Sequence, residues 1–202
     1  MDSRRENLKI FLAGSRFPAG HAKPKPNKAA LLLVAFGTSV PQARAAFERL
    51  DAMVREACPD LEIRWAYTSP TIRKIMAAQG RPGDSAVTAL ARLMEDGVTH
   101  LAVGSLHTIR GKEYEDLVET VRAFTAIPKG FRKTVVGAPL LSSRRDLEKS
   151  AQAILKNLPP KRKPNQAVLF MGHGTTHPAD AFYLALSGYV QALDDLVFIG
   201  TV

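Results

Sequence analysis

The chain has 202 residues, 46% of them hydrophobic, and a formal charge of +9 at pH 7, which suits an ordered globular protein with room for one large domain, or one domain and part of a second. Its longest apolar runs, such as residues 29–36, fall well short of the roughly 20 residues that cross a bilayer as a helix, so no membrane span is expected. The charge lies mostly outside the expected folded body: residues 1–28 carry +5, Lys161, Arg162 and Lys163 add +3, and +1 remains elsewhere, so a nucleic-acid partner is not expected.

Residues 1–28 are basic and contain Pro18, Pro24 and Pro26. Their short apolar core, residues 10–13, is too brief for a secretory signal. The segment reads as a flexible lead, and cytoplasmic residence follows, with a periplasmic location only if the start is misassigned. From residue 29 onward β-type runs alternate with helical patterns. Strands are expected at 31–36 (LLLVAF), 61–67 (LEIRWAY), 100–105 (HLAVGS) and 134–139 (TVVGAP), mostly apolar on both faces as buried parallel strands require.

Helices are expected from Pro41 onward and at 71–79, 85–96, 113–124 and 144–158. The result is an α/β, doubly wound first lobe over 29–158. Trp65, Tyr67 and the methionines at helical spacing are assigned to its core. Cys58, the single cysteine, excludes an intrachain disulfide and a multi-thiolate metal site, and is expected to behave as a small buried apolar residue.

The proline-rich, basic stretch 159–165 reads as a linker. Beyond it the sequence starts again: residues 32–41 (LLVAFGTSVP) align with 169–178 (LFMGHGTTHP) at a constant offset of 137, which is an internal repeat. Two pseudo-symmetric parallel-sheet lobes are implied, the second beginning at 166 with a helix over 179–193 and a strand over 197–202. One strand-helix-strand unit leaves that lobe incomplete at residue 202, so either another chain completes it or the product is truncated, and truncation is favoured.

In open α/β sheets ligands bind beyond the carboxyl ends of the strands. Those positions here are polar: Gly37, Thr38 and Ser39; Thr68 and Ser69; His107 and the loop after it; Ser142 and Ser143; and His173, Gly174, Thr175, Thr176 and His177. His21 and His100 are read as structural. His173 stands where the repeat places the apolar Phe36, so core packing does not account for it. An imidazole there is roughly three-quarters neutral at pH 7 and can ligate a metal or accept a proton. Glu113 either favours the dipole of the helix it begins or serves the site, with function slightly ahead.

With these segments in view, LLLVAFGTS, WAYTSPTIRK, SLHTIRGKEYE, GAPLLSS and FMGHGTTH in this order, residues 29–202 resemble the anaerobic sirohydrochlorin cobaltochelatases, which are similar in fold to protoporphyrin ferrochelatases. The resemblance implies a flat macrocycle, sirohydrochlorin, in a cleft between two lobes. It implies His173 as metal ligand and proton acceptor, Glu113 as a cleft carboxylate, and His107, Gly37, Thr38, Ser39, Gly174 and Thr175 as substrate contacts. The substrate metal would be Co²⁺, with Fe²⁺ or Ni²⁺ accepted in vitro, and no further cofactor. The resemblance also implies a metal-binding Glu just after residue 202 and a later His; without them the 202-residue form is expected to be inactive.

Three alternatives stand beside this reading: an iron-inserting chelatase for sirohaem, a noncatalytic tetrapyrrole or metal carrier, and a nucleotide-binding protein, the last disfavoured because no GxGxxG or GxxxxGK[ST] follows a strand. A homo-oligomer is compatible with the sequence.

Overall fold

The computed structural model describes residues 26–202; most of the basic lead, with His21, lies outside them. Strands β1 (Ala29–Ala35), β2 (Glu62–Tyr67), β3 (His100–Ser105) and β4 (Lys133–Val136) form a parallel sheet in the order β2-β1-β3-β4. Each connection carries helix: α1 (Pro41–Ala57) after β1, α2 (Pro70–Ala78) and α3 (Ala86–Glu95) after β2, and α4 (Lys112–Ala126) after β3. After α5 (Arg144–Lys156), a second parallel sheet pairs β5 (Val168–Gly172) with β6 (Val197–Thr201), joined by the helical turn Pro178–Asp180 and α6 (Ala181–Gln191). The α/β class and parallel pairing agree with the sequence reading. Among the described residues no helix is long and apolar enough to cross a membrane.

β1 is central because its run of aliphatic residues suits burial on both faces. Leu32 and Val34 meet Ala66, Leu101 and Val103 on one face, beneath Ala89, Leu90 and Leu93 of α3 and Leu117 and Val121 of α4. Each fully buried leucine there contributes about 1.5–3 kcal/mol. Ser69 and Ser85 start α2 and α3 by accepting N–H bonds from Ile72 and Thr88. A second core joins Leu141 with Leu147 and Ala151 of α5, Leu186 and Val190 of α6, and Val197 of β6. α5, grouped with the first lobe by sequence position, therefore packs with the second cluster.

Several local expectations are corrected. β4 ends at Val136, and Val135 is 58% exposed, because among the described residues this strand lies at the sheet edge with β3 as its one neighbour. Of the methionines at helical spacing, Met76 is buried and Met94 packs against the core, whereas Met53 is 59% exposed. Met171 and Leu169 lie on an uncovered face of the two-stranded sheet. Cys58 is half-buried. Trp65 and Tyr67 are also half-buried, stacked at 6.3 Å, and α1 reaches the sheet through them: Phe47 meets the Trp65 ring edge-on at 5.8 Å, and Trp65 Nε1 donates to Asp51 Oδ1 at 2.8 Å. No residue of α1 is fully buried.

The repeat is reproduced in backbone geometry. Gly37 and Gly174 both take positive φ, 99° and 69°, a region that favours glycine. One residue on, the Thr38 and Thr175 hydroxyls accept the N–H groups of Val40 and His177, each at 3.1 Å. Pro41 and Pro178 then open the following helical turns.

Candidate functional site

A cavity of ≈ 370 Å³ lies beyond the carboxyl ends of β1, β3 and β5. Phe36 lines it from the first turn and His173, Gly174 and Thr175 line it from the second, so the repeat-equivalent residues Phe36 and His173 both border one space. The loop after β3 and the start of α4 close a third side with His107, Ile109, Glu113 and Tyr114. That loop is tied down: Leu140 N–H donates to the His107 carbonyl at 2.9 Å and Leu141 N–H to the Thr108 carbonyl at 2.8 Å. Ile109 also packs on the second core.

His173 is exposed to the cavity, and its Nδ1 lies 3.1 Å from the Gly174 carbonyl. A carbonyl only accepts, so Nδ1 carries the proton and the Nε2 lone pair is left for a metal or a proton. His107 is a different kind of histidine, 9% exposed. Its Nδ1 is 2.9 Å from Ser105 Oγ and its Nε2 3.5 Å from Thr68 Oγ1. Burial pushes its pKa below the ordinary value, against an opposing pull from the Glu113 carboxylate, so the ring is neutral at pH 7. Glu113, in the first turn of α4, is exposed and has no ion-pair partner among the described residues.

Five of the eight residues singled out from sequence, His107, Glu113, His173, Gly174 and Thr175, thus border one cavity. Gly37, Thr38 and Ser39 do not line it. Their turn carries Phe36 to the cavity, while Thr38 faces a separate recess beside α1. Three lining residues, Phe36, Tyr114 and Tyr183, escaped sequence reasoning. Phe36 could have been found as the partner of His173 in the repeat. Tyr183 gave no local signal; its ring lies so close to Gly172 that a Cβ there would approach it to 3.0 Å.

His177 also does more than its sequence position suggested. Its Nδ1 accepts the Ala179 N–H at 3.2 Å, and its Nε2 lies 3.6 Å from Glu115 Oε2 on α4, linking the two halves. Among the described residues, no three His, Cys, Asp or Glu side chains converge on one metal position. The cavity thus offers one free imidazole nitrogen and one free carboxylate.

The cobalt chelatase (CbiK) family matches residues 29–202. A sirohydrochlorin cobaltochelatase of Nitratidesulfovibrio vulgaris is 45% identical over 174 residues, covering 86% of this chain and 61% of that protein. A sirohydrochlorin cobaltochelatase of Salmonella typhimurium is 36% identical over 169 residues, covering 82% of this chain and 62% of that protein. The chain spans 61–62% of the length of these curated relatives.

Proposed function

The chain belongs to the cobalt chelatase family, and from that premise we propose that it takes part in inserting Co²⁺ into sirohydrochlorin, with His173 and Glu113 acting on the metal and the departing protons. The observation that carries this reading is the convergence of His107, Glu113 and His173 on one cavity beyond the carboxyl ends of β1, β3 and β5. Insertion must strip water from the ion, bend the ring and remove two pyrrole N–H protons as metal–nitrogen bonds form. No redox step or nucleotide is required.

His173 Nε2 is the donor that receives the ion and hands it to the ring; once the ion leaves, the same lone pair can take a proton. Glu113 accepts or relays the other proton. His107 has both ring nitrogens beside hydroxyls and is held neutral, so its role is to position the macrocycle. Phe36 supplies a flat apolar surface in the same cavity as His173, suited to a tetrapyrrole plane. An N/O donor set binds nickel and copper more tightly than cobalt; the choice of Co²⁺ rests on the relatives. The setting implied is a cytoplasmic enzyme acting on a tetrapyrrole and a divalent ion, with no other cofactor and no nucleic-acid partner.

The test follows the visible spectrum of sirohydrochlorin after addition of Co²⁺ and protein. His173→Ala is expected to lower the insertion rate about 100-fold or more while leaving macrocycle binding near wild type. A variant that inserts cobalt as fast as wild type overturns the assignment of His173. Tight binding without any insertion by the wild-type protein supports a carrier instead.

A further inference from the structure

A second recess of ≈ 370 Å³ lies between α1 and β2, away from the residues assigned to insertion. Its wall is aromatic, formed by Phe47 and the stacked Trp65 and Tyr67. Its carboxylates are already engaged. Asp51 accepts from Arg55 Nε and from Trp65 Nε1, each at 2.8 Å, and Glu48 lies 3.1 Å from Arg44 Nε. That Nε is buried and not aligned to donate a hydrogen bond.

Arg81 is left over. It is half-buried, donates to the Gln79 side-chain oxygen at 2.6 Å, and has no carboxylate partner among the described residues. Thr38 accepts the Val40 N–H and keeps its own O–H free to donate. The Tyr67 hydroxyl has no hydrogen-bond partner among the described residues, and burial keeps it protonated by raising its pKa. The recess therefore has a surplus of donors beside an apolar wall, the chemistry that accepts an anionic group on an apolar stem.

The recess also adjoins the cavity. Phe36 faces the cavity and Thr38 the recess, with Gly37 between them, a span of at most about 7 Å along the chain. A smaller hollow of ≈ 200 Å³ shares Tyr67 with the recess and Glu113 with the cavity. A macrocycle seated against Phe36 is broad enough to send a peripheral arm across this turn.

We propose that the α1–β2 recess receives a peripheral carboxylate arm of the macrocycle, with Arg81, Thr38 and Tyr67 donating to the carboxylate and the Trp65–Tyr67 stack covering its methylene stem. This rests on the insertion activity proposed above. It assigns substrate recognition to residues remote from the metal, and it favours a macrocycle rich in acetate and propionate arms over a less acidic porphyrin.

The test compares Arg81→Gln and Arg81→Lys with wild type in cobalt insertion, with thermal melts to confirm folding. Gln is expected to raise KM for sirohydrochlorin roughly 10-fold at nearly unchanged kcat, and Lys to recover part of the loss. Wild-type KM should rise more steeply with salt than that of the Gln variant. Benzoate, as a free carboxylate probe, should compete with sirohydrochlorin in wild type and lose that effect in Arg81→Gln. An unchanged KM in Arg81→Gln overturns the proposal, as does benzoate that binds through Arg81 without raising KM, which marks a separate anion site. If wild type inserts no metal, the activity itself is refuted, and calorimetric affinity for sirohydrochlorin in wild type and Arg81→Gln still decides the recess.

Discussion

Replacing Gly174 by Ala puts the repeated turn under direct test. At φ 69° an L-residue bears the left-handed penalty of about 1–2 kcal/mol. The added Cβ would also lie 2.9 Å from Thr201 Cβ, closer than carbon atoms pack, and such overpacking costs about 1–3 kcal/mol. Together these give a loss of about 2–5 kcal/mol, or roughly 4–20 °C in Tm for a chain of this size. At Gly37 the backbone conflict is at least as large, with φ 99°, and a Cβ would meet Ile72 Cγ2 and Tyr67 Cδ1 at 3.0 and 3.2 Å. Gly188 is the control: it lies inside α6 with nothing within 4 Å of a Cβ and no positive φ, so Gly188→Ala should stabilise by about 0.5–1 kcal/mol. Urea titrations followed by circular dichroism measure all three. A Gly174→Ala loss below about 0.5 kcal/mol would refute the turn geometry, since neither the strain nor the contact could then be as described.

Two further outcomes follow from the packing around the site. The pKa of His107 is lowered by burial, so below the unfolded value of about 6.5 the unfolded chain binds more protons than the native one, and stability falls as pH drops through that window. Comparing wild type with His107→Asn between about pH 6.5 and 5 should show a slope in wild type, at most about 1.4 kcal/mol per pH unit, that the variant lacks; equal slopes would mean that His107 is not the buried, neutral group described. Asp51→Ala removes the acceptor shared by Trp65 and Arg55 and should cost about 1–2 kcal/mol, with a red shift in the emission of Trp65, the single tryptophan. Unaltered emission would show that Asp51 does not hold that ring.

The strands and helices were legible because aliphatic runs and helical periodicity alternate clearly from residue 29 onward, and Gly37 and Gly174 stand where the chain must turn. What stayed hidden depends on contacts between distant segments. Nothing local in LFMG distinguishes the buried side of β5 from the bare one that exposes Leu169 and Met171. The pairing of α5 with α6 brings together residues such as Leu147 and Val190 that no short window contains. The site was partly legible for the same reason: His173 and Gly174 were marked by the repeat and Glu113 by its place at a helix start, whereas Tyr183 and the donor surplus around Arg81 emerge only when α1, β2 and α6 are in place.

The two turns share their backbone, down to the Thr hydroxyl that accepts the same N–H two residues on, yet they deliver opposite chemistry. Phe36 brings an apolar ring with no coordinating atom, and His173 brings a nitrogen lone pair. On the insertion reading proposed above, a planar ring packed on Phe36 and metallated from His173 would use this difference. Two histidines facing each other would hold the ion between them and slow its release to the macrocycle, whereas two phenylalanines would leave nothing to replace its lost water. On the insertion mechanism proposed here, the chemistry therefore depends on the point where the two halves of the repeat diverge, and the shared turn ensures that both side chains arrive at the same cavity.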